Sequence, residues 1–202
     1  MWAAVVLACL AGVEVERVVA LVNGVAVLQS DVELAMAAQL VPRQEGEGEG
    51  AYRKAVAEAL VQLELRWQDL ESSGAATQLH PDLPAAWAKV VRAAGGETEL
   101  AQRLTALGLP EALLRELVRR AAVVETYVAH RFAPFARVSE EEIEKFWQGE
   151  LAPQLRARGE AVPALEAVHS TVEAILRERK LASEVASWTA ELEARGEVVR
   201  YF

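Results

Sequence analysis

The chain has 202 residues, 52% of them apolar and 25% charged, a composition typical of a globular protein with a buried core. Its formal net charge of −9 argues against a nucleic-acid partner, since binding to phosphates needs clustered Lys and Arg. Cys9 is the only cysteine, which excludes an intramolecular disulfide and a zinc site built on cysteines.

An apolar stretch over residues 2–12 is too short to span a bilayer. It is similar to the end of a secretory signal peptide, because small residues around Ala11 follow its apolar part, although the usual preceding basic residues are missing. We therefore expect residues 1–12 to be a truncated export signal and the protein to be periplasmic or otherwise exported, with no stable membrane span. A buried first strand or helix and a lipoprotein acylation site at Cys9 are the alternatives.

The strongest local signal in the chain is that of a β-hairpin. Two apolar runs, residues 18–22 and 25–28, flank Asn23-Gly24, a dipeptide that tolerates the positive φ angles of a tight hairpin turn. A lone hairpin is only marginally stable in water. We therefore expect the apolar segment 198–202 to add a third strand and to bring the two ends of the fold together.

Helical patterns fill most of the remaining chain. The first helix, over residues 31–40, is expected to begin with a capping box in which the Ser30 hydroxyl accepts a hydrogen bond from the backbone N–H of Glu33. An acidic, glycine-rich segment over residues 43–50 then predicts a mobile surface loop. Further helices are predicted over residues 51–71, 84–94, 98–107, 110–132 and 164–195, which Gly or Pro residues delimit.

The amphipathic pattern assigns a buried face to the long helices. In the helix over residues 110–132, the predicted buried stripe is Leu113, Leu117, Ala121, Val124 and Val128. A second capping box, from Ser139 to Glu142, predicts the start of another helix. Residues 148–163 are rich in turn-forming residues and are expected to be a linker to the last helix.

Nothing in the sequence indicates an active site. The histidines are His80, His130 and His169. Their spacing does not match a helical zinc motif, and the sequence lacks a nucleophile elbow, a phosphate-binding loop and a dinucleotide fingerprint. The carboxylates fall at solvent-facing helical positions, where solubility explains them. We expect no catalytic, cofactor-binding or metal-binding residues.

The aromatic residues offer a different kind of site. Most of them fall at helical spacing among apolar neighbours, which is typical of core packing. Four aromatic residues flank a break between two predicted helices and are candidates for lining an open groove: Phe132, Phe135, Phe146 and Trp147. Exposed apolar surface on a soluble acidic protein indicates a polypeptide-binding site.

Taken in order, these elements resemble the chaperone module of the SurA-type periplasmic chaperones and their PpiD- and PrsA-like relatives. The first motif, residues 15–24 with 27–32, is similar to that family's N-terminal hairpin and first helix. Residues 97–132 resemble the family's paired helices, residues 138–143 the segment that leads into a parvulin-type prolyl isomerase domain, and residues 164–202 the closing helix and strand.

The resemblance implies a mostly α, multi-helix chaperone domain over residues 13–202, with an N-terminal hairpin and a C-terminal strand that pairs with it. Its N-terminal part is expected over residues 13–148 and its closing helix and strand over residues 164–202. Between them, residues 149–163 form a short linker where relatives insert one or two parvulin domains. An inherited isomerase label would therefore mislead, because that domain has no room here.

The resemblance further implies an ATP-independent holdase that binds unfolded or nascent exported polypeptides, such as outer-membrane proteins, and is not an enzyme. Two alternatives remain open from the sequence. One is a peptidyl-prolyl isomerase or its remnant. The other is an interaction module of the same fold that docks one specific partner or forms a homodimer by exchanging its hairpin and terminal strand.

Overall fold

A computed structural model describes residues 16–202. The expected export signal at residues 1–12, with Cys9, lies outside the described residues. The described part is mostly α-helical with a small antiparallel sheet, as the sequence predicts. In chain order its elements are β1 Val18–Val22, β2 Val25–Leu28, α1 Gln29–Ala37, α2 Glu49–Ser72, α3 Ala75–Gln78, α4 Leu83–Ala93, α5 Glu97–Leu107, α6 Glu111–Arg131, α7 Glu140–Phe146, α8 Ala152–Ala157, α9 Leu165–Arg195 and β3 Val198–Arg200. In this part of the chain, no helix is both long and apolar enough to cross a membrane.

The sheet confirms both the hairpin and the third strand. Asn23 and Gly24 form the turn between β1 and β2 with φ angles of 50° and 82°, the positive values that a tight hairpin requires. Strand β3 pairs antiparallel with the other edge of β1, with Val22 opposite Val198. The strand order is therefore β2-β1-β3, and the central strand buries Ala20 and Val22 completely.

The turn residue Asn23 also fastens the end of the chain to its beginning. Its backbone N–H donates to the Glu197 carbonyl at 2.8 Å, and its side-chain Oδ1 accepts from the Glu197 N–H at 2.8 Å. Its Nδ2 donates to Gln68 Oε1 of α2, also at 2.8 Å. A Cβ at Gly196 would lie 2.7 Å from Asn23 Oδ1, so a larger residue there would displace the Asn23 side chain from these hydrogen bonds.

Arg200 of β3 adds an ionic connection to the two longest helices. Its guanidinium donates to both carboxylate oxygens of Glu58 in α2, at 2.7 and 2.9 Å, and lies 2.7 Å from Glu193 in α9. The hydrogen bond from Arg200 lowers the pKa of Glu58, and hydrogen bonds to Glu58 and Glu193 raise the pKa of Arg200. The closing strand is thus held by side chains as well as by the sheet.

The helices pack around two adjoining hydrophobic cores. The main core joins the sheet to α1, α2 and the C-terminal end of α9, and its fully buried residues include Val22, Val56 and Val61. The second core joins α1, α4, α5 and α6 around Leu34 and Leu114. Helix α2 lies against α1, α6 and α9 and so connects these layers.

The N-terminal cap of α1 differs from the prediction. The helix begins one residue before Ser30, and it is the Asp31 carboxylate that accepts the Leu28 N–H at 2.8 Å. The predicted capping box between Ser30 and Glu33 is therefore wrong. Strand β2 runs into α1 without a loop, so the N-cap residue is Leu28, two residues before Ser30. Glu33 instead forms an ion pair with Arg53 of α2.

The buried face of α6 also differs from the prediction. Leu114, Val118 and Ala122 are buried, whereas Leu113, assigned to the buried stripe, is 49% exposed. Of the predicted stripe, Val124 is buried and Leu117 packs partly against the main core. The helix carries apolar residues at adjacent positions, so periodicity alone allows two faces about 100° apart.

The segment predicted to be a turn-rich linker, residues 148–163, is largely helical. The Ser139 capping box is confirmed, since Ser139 N–H donates to Glu142 Oε2 at 2.8 Å and Glu142 N–H donates to Ser139 Oγ at 3.3 Å. From α7 the helix continues through one π-helical turn, Trp147–Leu151, into α8. Pro153 stands in the first turn of α8, directly after the π-helical turn.

These helices and the first half of α9 form a separate packing unit, the C-terminal lobe, built around Ile143, Phe146, Trp147, Ala152 and Val172. Helix α9 has 31 residues and is about 46 Å long. Its N-terminal half packs in the lobe, and its C-terminal half packs in the main core. Lys180 bonds to Glu142 of α7 at 2.9 Å and to the Arg137 carbonyl at 2.6 Å, which holds the lobe against α9.

We expect Leu114→Ala to lower the free energy of unfolding by about 2–5 kcal/mol, because it removes a fully buried side chain and leaves a cavity. Leu113→Ala, the matched control one residue away, should change it by less than about 0.5 kcal/mol. Urea unfolding followed by circular dichroism measures both. Equal losses in the two variants would contradict the observed orientation of α6.

The lobe should also weaken in acid. The hydrogen bond from Lys180 and the Ser139 cap lower the pKa of Glu142 to about 2, so its stabilising effect is present above the ordinary carboxyl pKa and is lost as the pH falls towards 2. Glu142→Gln should therefore lower the urea midpoint at pH 7 and have a much smaller effect near pH 2. Glu141→Gln, on the same turn, is the control and should lower the midpoint less, because its one ion pair, with Lys145, is exposed to solvent. A pH-independent loss in Glu142→Gln would contradict the ionic role.

Candidate functional site

Two of the four aromatic candidates are part of the lobe's core. Phe146 is 6% exposed and Trp147 8% exposed, on the last turn of α7 and the first residue of the π-helical turn. The Arg179 guanidinium lies 4.4 Å from the centre of the Phe146 ring and covers one side of it. A ligand does not reach these two rings in the observed arrangement.

The other two candidates lie where α6 ends. Phe132 is half-buried, with its ring centre 5.6 Å from that of Trp188 in α9 and 6.1 Å from that of Tyr127. Phe135, on the single 3-10 turn that follows, is 69% exposed. The Arg131 guanidinium lies within 6 Å of both phenylalanine rings. Only Phe135 therefore presents a large apolar surface to solvent among the four.

The structure holds a more extensive apolar site that the sequence pattern does not reveal. An open groove of about 510 Å³, here called the central groove, lies between α2, α4 and α6. The end of α1 with residues 39–41 and Val185 of α9 complete its walls. Its apolar lining includes Leu60, Leu63 and Val128. The groove combines five separate parts of the chain, so no single motif could have indicated it.

Small side chains explain why the central groove stays open. Alanines line much of it: Ala35, Ala38, Ala59, Ala86, Ala121 and Ala122. Larger side chains at such facing positions would meet and fill the space between helices. Helices α2 and α6 contact each other beside the groove, where Trp67, Leu70, Val123 and Val124 form a dense cluster. The packing is therefore tight on one side of the groove and open on the other.

The polar groups of the central groove are few. At its rim, Lys89 of α4 and Glu125 of α6 form an ion pair at 2.9 Å with both side chains well exposed. Arg66 of α2 also lines the groove and is half-buried. Its Nη2 donates to Gln62 Oε1 at 2.9 Å, and burial lowers its pKa. The two charges at the rim therefore neutralise each other, whereas Arg66 has no acidic partner within residues 16–202.

A second, larger cavity of about 710 Å³ has a different character. It lies between α1, α5 and the segment before α2, and charged side chains such as Glu33, Arg43 and Arg103 line it. Arg43 pairs with Glu49 at 3.2 Å and donates to the Glu47 carbonyl at 2.8 Å. The loop predicted to be mobile, residues 43–50, is therefore tied to itself by Arg43. Apolar side chains, among them Met36, Tyr52 and Leu107, share its lining with the charged ones.

The three histidines do not form a site of their own. His80 and His130 are exposed, and His169 of α9 lies 2.7 Å from Glu140 of α7, which raises the pKa of His169. Within residues 16–202, no group of three or more His, Cys, Asp and Glu side chains is arranged to hold a metal ion.

In comparisons with known proteins, no family model and no curated protein matches the sequence.

The contrast between the aromatic residues leads to a prediction. Phe146→Ala should lower the free energy of unfolding of the lobe by about 3–5 kcal/mol, because it removes a buried ring. Phe135→Ala is the control and should change it by less than about 0.5 kcal/mol, since that ring is exposed. Hydrogen exchange at the amides of α7 and α8 measures both. A large loss of protection in Phe135→Ala would contradict its exposed position.

Proposed function

We propose that this chain is an exported, ATP-independent holdase that binds unfolded polypeptides in the central groove and has no isomerase activity of its own. The observation that carries the proposal is the groove itself: an open apolar surface, lined from five parts of the fold, on a protein of net charge −9. A concave, mostly apolar cleft of this size is the usual form of a ligand-binding site.

The shape and chemistry of the central groove suit a polypeptide of variable sequence. A volume of about 510 Å³ accommodates several apolar side chains at once. Its walls offer apolar contact with few directional polar groups, so they favour apolar segments without requiring one sequence. The net charge of −9 keeps complexes dispersed, because like-charged particles repel each other. Exposed Phe135 provides a further apolar contact outside the groove.

The order of elements supports the proposed relation to the SurA-type chaperones. The hairpin before α1, the capped start of α7 and the closing pair of α9 and β3 occur in the order that this resemblance implies. Between α7 and α9 the chain forms only the π-helical turn, α8 and a short connection. A holdase that lacks the parvulin domain fits this length, and the apolar stretch at residues 2–12 supports export.

Suppression of aggregation tests the proposal. The protein in molar excess should reduce light scattering by a denatured model protein after dilution, without ATP. Ala121→Trp, which fills the central groove, should weaken this effect about tenfold, as expected when a ligand loses its main contact surface. Ala129→Trp, at an exposed position of the same helix, is the matched control and should retain full activity.

Four outcomes would contradict the proposal. Absence of suppression at molar excess would contradict the holdase activity. Full suppression by a folded Ala121→Trp variant would exclude the central groove as the binding site. Capture of one stoichiometric partner without general suppression would favour the interaction module instead. An assay of prolyl-peptide isomerisation should detect no acceleration, and acceleration would restore the isomerase alternative.

A further inference from the structure

Arg66 is an unusual residue for the lining of an apolar groove. It lies one turn beyond Leu63 and two turns beyond Ala59, on the face of α2 that lines the central groove. Its Nε is buried and has no hydrogen-bond partner within residues 16–202. Its one side-chain partner in that part of the chain is the neutral amide of Gln62. The guanidinium is therefore only partly satisfied by its surroundings.

The electrostatics around Arg66 are uncompensated. Burial lowers its pKa, and no acidic side chain in the described chain offsets that effect. The other charges that line the groove, Lys89 and Glu125, neutralise each other at the rim. The central groove thus carries one excess positive charge, although the whole protein carries −9. A partly buried charge without a partner raises the free energy of the folded protein. A carboxylate is the group that a guanidinium binds best.

Building on the proposed function, we propose that the central groove selects apolar polypeptide segments that contain an acidic side chain, whose carboxylate pairs with Arg66. The neighbouring apolar residues of such a segment contact Leu60, Leu63 and Val128, while its carboxylate pairs with the part of the Arg66 side chain that lines the groove. Because the pair forms in a partly desolvated site, salt screens it less than it screens surface ion pairs.

The experiment uses the whole protein and two fluorescent peptides of identical apolar content, both acetylated and amidated so that no terminal carboxylate is present. One peptide has the sequence Leu-Ala-Leu-Glu-Leu-Ala-Leu and the other has Gln in place of Glu. Fluorescence anisotropy measures their affinities. We expect the Glu peptide to bind about tenfold more tightly, the effect typical of one charge-assisted hydrogen-bonded pair.

Two variants assign this preference to Arg66. Arg66→Gln should bind both peptides with equal affinity, close to that of the parent protein for the Gln peptide. Arg92→Gln makes the same change in net charge at an exposed position of α4 outside the groove, and it should keep the full preference. If Arg66→Gln does not fold, Arg66→Met serves instead, because it keeps an unbranched apolar stem and removes the unpaired charge.

The outcomes separate this inference from the proposed function. If the parent protein binds both peptides equally, the Arg66 inference is wrong and the holdase proposal stands. If it binds neither peptide and does not suppress aggregation, the holdase proposal is wrong as well. Equal loss of preference in Arg92→Gln and Arg66→Gln would show a general charge effect and overturn the inference. Binding of decanoate with no binding of either peptide would identify a lipid site and overturn both.

Discussion

The pairing of β3 with β1 is the contact on which the rest of the fold depends. It places the last described strand beside the first, so β1 becomes the buried centre of the sheet, and Ala20 and Val22 lose all contact with solvent. The Asn23 side chain and the Arg200 ion pairs attach the same junction to α2 and α9. The C-terminal half of α9 is anchored at this junction, and its N-terminal half packs in the C-terminal lobe.

The parts of the fold that the sequence predicted correctly are those with unambiguous local signals. Asn23-Gly24 forms the predicted tight turn, and Ser139 with Glu142 caps the predicted helix start. The same capping pattern at Ser30 and Glu33 is not used, because strand β2 runs directly into α1. The buried face of α6 was predicted wrongly because the local sequence pattern fits two faces of the helix equally well. Adjacent apolar residues on α6 allowed two buried faces, and tertiary packing chose the one that contains Leu114. The central groove could not be predicted at all, because it depends on how five parts of the chain meet.

The central groove is open because the side chains that line it are small. Sequence reasoning looked for large aromatic residues, yet Phe146 and Trp147 are used to build the lobe. The open apolar surface instead comes from alanines, which bring little bulk to the space between α2, α4 and α6. Arg66 makes that surface selective for acidic groups under the proposal above, because its guanidinium has no acidic partner within residues 16–202.

The topology of the sheet also has a consequence for the order of synthesis. A ribosome makes β3 after every other described element, so β1 waits for its second partner on the order of ten seconds at ordinary elongation rates. During that interval the sheet consists of a two-stranded hairpin, which is marginal in water. The main core therefore lacks one strand of its sheet until β3 is added.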